Sequence, residues 1–161
     1  MRWKLAIAAG IAALSLSAPA ARADENDKLT FLTFSKPVQL PGVTLPAGRY
    51  RFELADPVDD RRVVKVQSED GHQQLAMLLS IQNQLREPAR DPVVLFMETP
   101  EGQPEAVKAW IYPGDTIGYE FIYPKEQALK IARQSRSSVL SKDGDAIYRI
   151  NERGERVPED K

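Results

Sequence analysis

The chain has 161 residues, of which 42% are hydrophobic and 28% are charged, with a net charge of −1 and no cysteine. The absence of cysteine excludes disulfide bonds, thiolate metal sites and a thiol nucleophile. The balanced charge offers no surplus of Lys and Arg, so we expect neither nucleic acid nor an anionic membrane surface as a partner.

The first predicted element is a secretory signal peptide over residues 1–23. Basic residues precede an apolar stretch, Leu5–Leu16, and the Ala-Arg-Ala pattern at 21–23 marks a cleavage site before Asp24. The stretch is shorter than the roughly 20 apolar residues that an uncleaved anchor needs. We therefore expect export to a periplasm or to the cell exterior, with no membrane insertion after cleavage.

Residues 24–150 are predicted to form a single β-rich domain, because short runs of period-two alternation are separated by Gly, Pro and Asp. The clearest strand is Arg49–Leu54. In this strand Tyr50, Phe52 and Leu54 are predicted to face the core, and the charged residues between them are predicted to face water.

Two further strands show a similar alternation. The residues predicted to face the core are Leu75, Met77, Leu79 and Ile81 in one strand, and Val107, Ala109 and Ile111 in the other. Turns are predicted at Asp70-Gly71, Glu101-Gly102 and Pro113-Gly114-Asp115. Successive short connections favour an antiparallel meander. The expected fold is all-β, either a β-sandwich or a partly closed barrel.

One helix is predicted near residues 125–134, after Pro124, whose missing N–H suits the first helical turn. Ala128, Leu129 and Ala132 would form its narrow apolar stripe. Residues 151–161 are mostly charged, and the sequence predicts a disordered tail.

Two sequence blocks resemble those of a group of small exported bacterial proteins that are rich in β-structure. The first block is LPGVTLPAGRYRF at 40–52, and the second is WIYPGD with GYEF and YPK at 110–125. The group has no activity known to us. The resemblance therefore implies an exported β-rich domain and no mechanism.

Catalytic and metal-binding patterns are weak. His72 is the only histidine and lies in a predicted hairpin tip, where an exposed turn residue is the favoured interpretation. The acidic loop at 56–60 lacks the spacing of a calcium site. Asp115 and Glu120 flank a turn and are the candidate carboxylate pair of an envelope glycan hydrolase. We expect no cofactor and no metal, and the catalytic-pair hypothesis is kept as the alternative.

The most suggestive local feature is a set of aromatic residues around one turn: Trp110, Tyr112, Tyr119, Phe121 and Tyr123. Facing outward, they would form a platform for a partner protein or a small apolar ligand. Facing inward, they would be core, which the alternation of the last three favours. The sequence predicts a non-enzymatic binding or structural module of the cell envelope, with Trp110, Tyr112, Tyr119 and Tyr123 as candidate contacts.

Overall fold

The computed structural model describes residues 28–158, so the predicted signal peptide lies outside the described residues. The described chain is an all-β fold with one helix, as predicted. The strands are β1 Thr30–Phe34, β2 Val38–Leu40, β3 Val43–Leu45, β4 Gly48–Asp56, β5 Asp60–Ser68, β6 Gln74–Gln84, β7 Val93–Met97, β8 Glu105–Ile111, β9 Ile117–Phe121, β10 Tyr123–Pro124, β11 Val139–Asp143, β12 Ala146–Ile150 and β13 Arg156–Val157, and the helix is α1 Lys125–Ser135. No helix in this range is long and apolar enough to cross a membrane.

Nine strands form one large sheet. Its main run is β1-β4-β5-β6-β9-β8-β7, and every neighbouring pair in that run is antiparallel. The β2–β3 hairpin joins the sheet through a short parallel pairing between β2 and β8. The sheet does not close into a barrel within the described residues, because β1 and β7 each pair on one side only.

The β6–β7 connection makes the large sheet a Greek key. The predicted antiparallel meander is present in β4–β5–β6 and again in β7–β8–β9, but β9 lies beside β6, so residues 85–92 must cross to β7. The turn at 112–116 holds this crossover through backbone hydrogen bonds. The Leu85 N–H donates to the Thr116 carbonyl, and the Gly114 N–H donates to the Ala89 carbonyl, both at 2.7 Å.

The core follows the alternation predicted for β4. Tyr50, Phe52 and Leu54 are buried, as predicted. On the opposite face Glu53 is buried too, because its carboxylate contacts Lys65 at 2.6 Å and Arg51 at 2.9 Å. Burial alone would raise the pKa of Glu53, but these two cations hold the pKa below its ordinary value.

The face predicted for β6 was wrong. Leu78 and Ser80 point into the core, and Met77 is 49% exposed. The cause is the register with β5, which places Leu78 opposite the fully buried Val64. The run Leu75–Leu79 is apolar throughout, so its own alternation does not distinguish the two faces. In β8 the predicted residues are buried, but Trp110 on the other face is buried as well.

The helix lies within one residue of its predicted bounds and connects β10 to the parallel strand β11. Ala128, Ile131 and Ala132 are its buried residues, so Ile131 takes the place predicted for Leu129. Arg136 ends the helix in the left-handed conformation, at a φ of 52°.

The predicted disorder of the tail was wrong for residues 151–157, which form a turn and the short strand β13. The Asn151 side chain accepts hydrogen bonds from the N–H groups of Arg153 and Glu155, each at 3.0 Å. The Arg156 guanidinium lies 4.1 Å from the centre of the Tyr148 ring. Local hydrogen bonds and one ring contact therefore order a segment whose composition is mostly charged.

Candidate functional site

Three of the four predicted contact residues are core residues. Trp110, Tyr119 and Tyr123 are fully buried. The Trp110 indole N–H donates to the Thr30 hydroxyl at 3.0 Å, which ties β8 to β1. An outward aromatic platform is therefore absent from the described residues, and the core alternative holds for these three side chains. Only Tyr112 is partly exposed, with the Lys28 ammonium 5.0 Å from its ring centre.

Tyr123 joins three strands through its hydroxyl group. The hydroxyl donates to the Val107 carbonyl at 2.7 Å and lies 3.1 Å from the Gln39 carbonyl. Burial raises the pKa of Tyr123 well above its ordinary value, so the group stays protonated and keeps donating. Tyr119 is equally buried, yet its hydroxyl has no hydrogen-bond partner among residues 28–158.

The two carboxylates of the hydrolase hypothesis are both engaged in ion pairs. Glu120 accepts two hydrogen bonds from Arg149, each at 2.7 Å, and one from the Asn83 amide at 2.6 Å. Burial would raise the pKa of Glu120, but Arg149 holds that pKa below its ordinary value. Asp115 lies 2.6 Å from the Lys28 ammonium, and both side chains are largely shielded from solvent. A general acid needs a raised pKa, which Glu120 lacks.

The remaining polar candidates are turn residues. His72 is exposed, and its N–H donates to the Asp70 carboxylate at 3.0 Å. Asp56 accepts from the N–H groups of Val58 and Asp59, so this acidic loop is closed by its own backbone. Among residues 28–158 no group of three or more His, Asp or Glu side chains is placed to hold a metal ion.

The feature that best suits binding is a groove between the edge strands β1 and β7, which we call the seam. Its volume is about 380 Å³. Its lining residues are Leu32, Thr33, Phe34, Ser35, Lys36, Val38, Pro92, Val94, Phe96 and Glu105. The Phe34 and Phe96 rings meet edge to face, with centroids 6.3 Å apart. The seam is thus a groove with an apolar floor and a polar rim.

Both strands that border the seam present unprotected backbone edges. β7 consists of five consecutive apolar residues, Val93–Met97, and its one register shift lies in the pairing with β8. β1 has no charge, no proline and no register shift. Soluble proteins normally blunt open edges with charges, prolines or very short strands. The strands β1 and β7 themselves contain none of these devices, and the nearest prolines, Pro37 and Pro92, lie outside the two strands.

Three other described edge strands are short, whereas β6 leaves its residues 74–78 unpaired on the side opposite β5. The strand β3 is three residues long and lies between Pro41 and Pro46, and β10 and β13 have two residues each. In addition, six large apolar side chains are exposed in the described part of the chain, and three of them, Phe31, Leu95 and Phe96, belong to β1 and β7. Exposed apolar side chains therefore occur on the two strands with open edges, and one of them, Phe96, lines the seam, which is typical of an interaction site.

Sequence reasoning missed the seam. The run Val93–Met97 is visible as a strand, but nothing local shows that it is an edge. Its position depends on the crossover that places β9, and not β7, next to β6. An apolar strand that lacks alternation is the one signal that marks this segment, and it fits a buried central strand equally well.

Comparison with known proteins adds no identification. No protein-family model, no curated protein and no solved structure matches this chain. The function is therefore inferred from the geometry of the seam and its surroundings.

Proposed function

We propose that this protein is an exported, non-enzymatic binding module of the cell envelope, and that it holds an extended segment of a partner protein in the seam. The observation that carries the proposal is the all-apolar open edge Val93–Met97 beside the open edge of β1. Left uncovered, such an edge is a template for aggregation. A partner strand would pair with that edge and remove the hazard.

Binding by strand addition divides the recognition into two parts. Backbone N–H and C=O groups of the edge provide affinity for any extended chain, and pockets for alternate side chains provide specificity. The seam supplies both, because unpaired edges border it and Leu32, Phe34, Val94 and Phe96 line its floor. An inward side chain of the partner would rest on these residues.

Covering the exposed apolar residues gives the expected size of the effect. Phe31, Leu95 and Phe96 are 42%, 42% and 40% exposed. Full burial of such side chains is worth about 1.5–3 kcal/mol each, and because only Phe96 of the three lines the seam, covering its exposed fraction contributes about 1 kcal/mol. Backbone pairing adds to this contribution, and the entropy of ordering the segment opposes it.

The alternative of a glycan hydrolase has no comparable support. Glu120 is held in a bidentate ion pair with Arg149, and Asp115 is held by Lys28. Neither carboxylate lines the seam. The seam itself offers Glu105 as its only carboxylate, whereas glycoside hydrolysis commonly uses two.

The test is site-specific photocrosslinking in intact cells of the source bacterium. A photoreactive residue replaces Leu95, which lies on β7 between the seam residues Val94 and Phe96, or, as the matched control, Ile147 on β12, which is also 42% exposed. The proposal predicts crosslinks from position 95 to one partner, within a segment of alternating apolar residues, and none of these from position 147. Equal crosslinking from both positions, or none from position 95, would overturn it.

A further inference from the structure

We infer that the partner strand runs antiparallel to both β1 and β7, with its amino end near Ser35 and its carboxyl end near Asp91, and that it carries apolar side chains at alternate positions and an acidic one beside Arg49. This inference rests on the proposed function and adds the direction and the pattern of the bound segment. It follows from the number of strands between the two edges.

The sheet leaves its two edge strands parallel to each other. Seven strands make up the run from β1 to β7, and all six steps between neighbours are antiparallel. Each antiparallel step reverses the strand direction, so after six steps the last strand has the direction of the first. β1 and β7 therefore point the same way and cannot close the sheet as one more antiparallel pair.

Contacts across the seam confirm this relative direction. Near the start of β1, Thr30 is hydrogen-bonded to Trp110, which pairs with Val94 near the start of β7. At the end of β1, Phe34 contacts Phe96 near the end of β7. The starts of the two strands lie together, and so do their ends.

One added strand of opposite direction would be antiparallel to both neighbours. Its two pairings would then be antiparallel, like the six pairings already present in the run. Antiparallel pairing is slightly more stable per residue than parallel pairing. Its amino end would then lie beside the end of β1, and its carboxyl end beside the start of β7. Residues beside Leu32 and Phe34 would point into the seam, since the buried residues of β1 alternate with exposed ones.

The outward positions of the added strand lie near a positive charge. Arg49 is the partner of Thr33 across the β1–β4 pair, and its guanidinium lies 4.9 Å from the centre of the Phe31 ring. Arg49 is half-exposed, and its partner Glu69 is more exposed still. An acidic side chain beside Thr33 would complement Arg49, whose guanidinium extends from β4 over Phe31 of β1 and also contacts Glu69.

A second copy of this chain does not supply such a strand. Every described strand already pairs with a neighbour on at least one side, whereas a segment inserted between β1 and β7 must have both of its edges free. The described residues of a second copy therefore do not supply the segment, and we assign it to another protein, in a region that is extended and has alternate apolar residues.

The test uses an acetylated, amidated peptide of roughly eight residues, a length typical of strands, with Val and Thr alternating and one central Glu in place of Thr. Because the chain has no cysteine, single cysteines can be placed at Ser35 or Asp91, both exposed and at opposite ends of the seam. Each protein is mixed with peptides that carry cysteine at the amino end or at the carboxyl end. Disulfide formation is then measured, and binding is followed separately by Trp110 fluorescence.

The inference predicts that S35C crosslinks the amino-terminal cysteine and D91C the carboxyl-terminal one, each at least tenfold faster than the opposite pair. Replacing the central Glu of the peptide by Lys should weaken binding roughly threefold, the size expected for a rim charge pair. The reverse crosslinking pattern, or equal rates, would overturn the inferred direction while binding upheld the proposed function. Absence of binding for both peptide versions would overturn the proposed function itself.

Discussion

Two buried tyrosines offer a matched test of how the core is held together. Tyr123→Phe and Tyr119→Phe make the same chemical change at side chains that are both fully buried. The Tyr123 hydroxyl donates to Val107 at 2.7 Å, whereas the Tyr119 hydroxyl has no partner. The structure therefore predicts that only Tyr123→Phe lowers the free energy of unfolding.

The size of each effect follows from the state of the hydroxyl. Loss of the Tyr123 hydroxyl removes a buried hydrogen bond and leaves the Val107 carbonyl without this donor, which costs about 1–3 kcal/mol. Loss of the Tyr119 hydroxyl removes a buried group that makes no hydrogen bond, so stability should stay the same or rise by up to about 2 kcal/mol. In a domain of this size each kcal/mol shifts Tm by roughly 3–5 °C.

The assay is urea unfolding of the mature protein, followed by the fluorescence of Trp110. That residue is the only tryptophan after the predicted signal peptide. Equal slopes of the free energy against urea for both variants would show that the folded states are comparable. Equal destabilisation by the two substitutions would refute the assignment of the hydrogen bond to Tyr123 alone.

Four further predictions concern stability. Glu120→Gln should cost about 2–4 kcal/mol, because it weakens the buried ion pair with Arg149, and unchanged urea stability would contradict this. The lowered pKa of Glu120 means that its contribution is present above its ordinary pKa of 4.5 and is lost as pH falls, which unfolding measured at a series of pH values should show. The raised pKa of Tyr123 means that above its ordinary pKa of 10.0 only the unfolded state loses this proton, so stability should fall with rising pH, and less steeply in Tyr123→Phe. Gly114→Ala should cost about 1–2 kcal/mol from backbone strain at a φ of 79°, with no clash, and a thermal melt equal to that of the native protein would contradict this.

Much of the fold was predictable because its signals are local. The alternation of Tyr50, Phe52 and Leu54 identified a half-buried strand, and Pro124 with the following helix formers located the helix within one residue. The fold class follows from such patterns. Met77 shows where they fail, because an apolar run carries no alternation and its buried face is decided by the register with β5.

The tail and the seam required information that composition does not carry. Residues 151–157 are ordered by the Asn151 turn and the contact of Arg156 with Tyr148, although the segment is mostly charged. The seam exists because the crossover between β6 and β7 leaves two distant segments, Thr30–Phe34 and Val93–Met97, as the edges of one sheet. Strand order is a long-range property. Of the aromatic residues predicted as candidate contacts, Trp110, Tyr119 and Tyr123 fill the core and only Tyr112 is partly exposed.

The most direct test of the central claim is amide hydrogen exchange of the mature protein with and without the strand peptide. The account predicts that backbone amides of β1 and β7 on the open edges exchange rapidly in the free protein and become protected when the peptide binds. Residues of β5, which are paired on both sides, should not change. Binding that leaves β1 and β7 unprotected, or that protects instead the groove lined by Met77, Leu79 and Ile122, would contradict the claim.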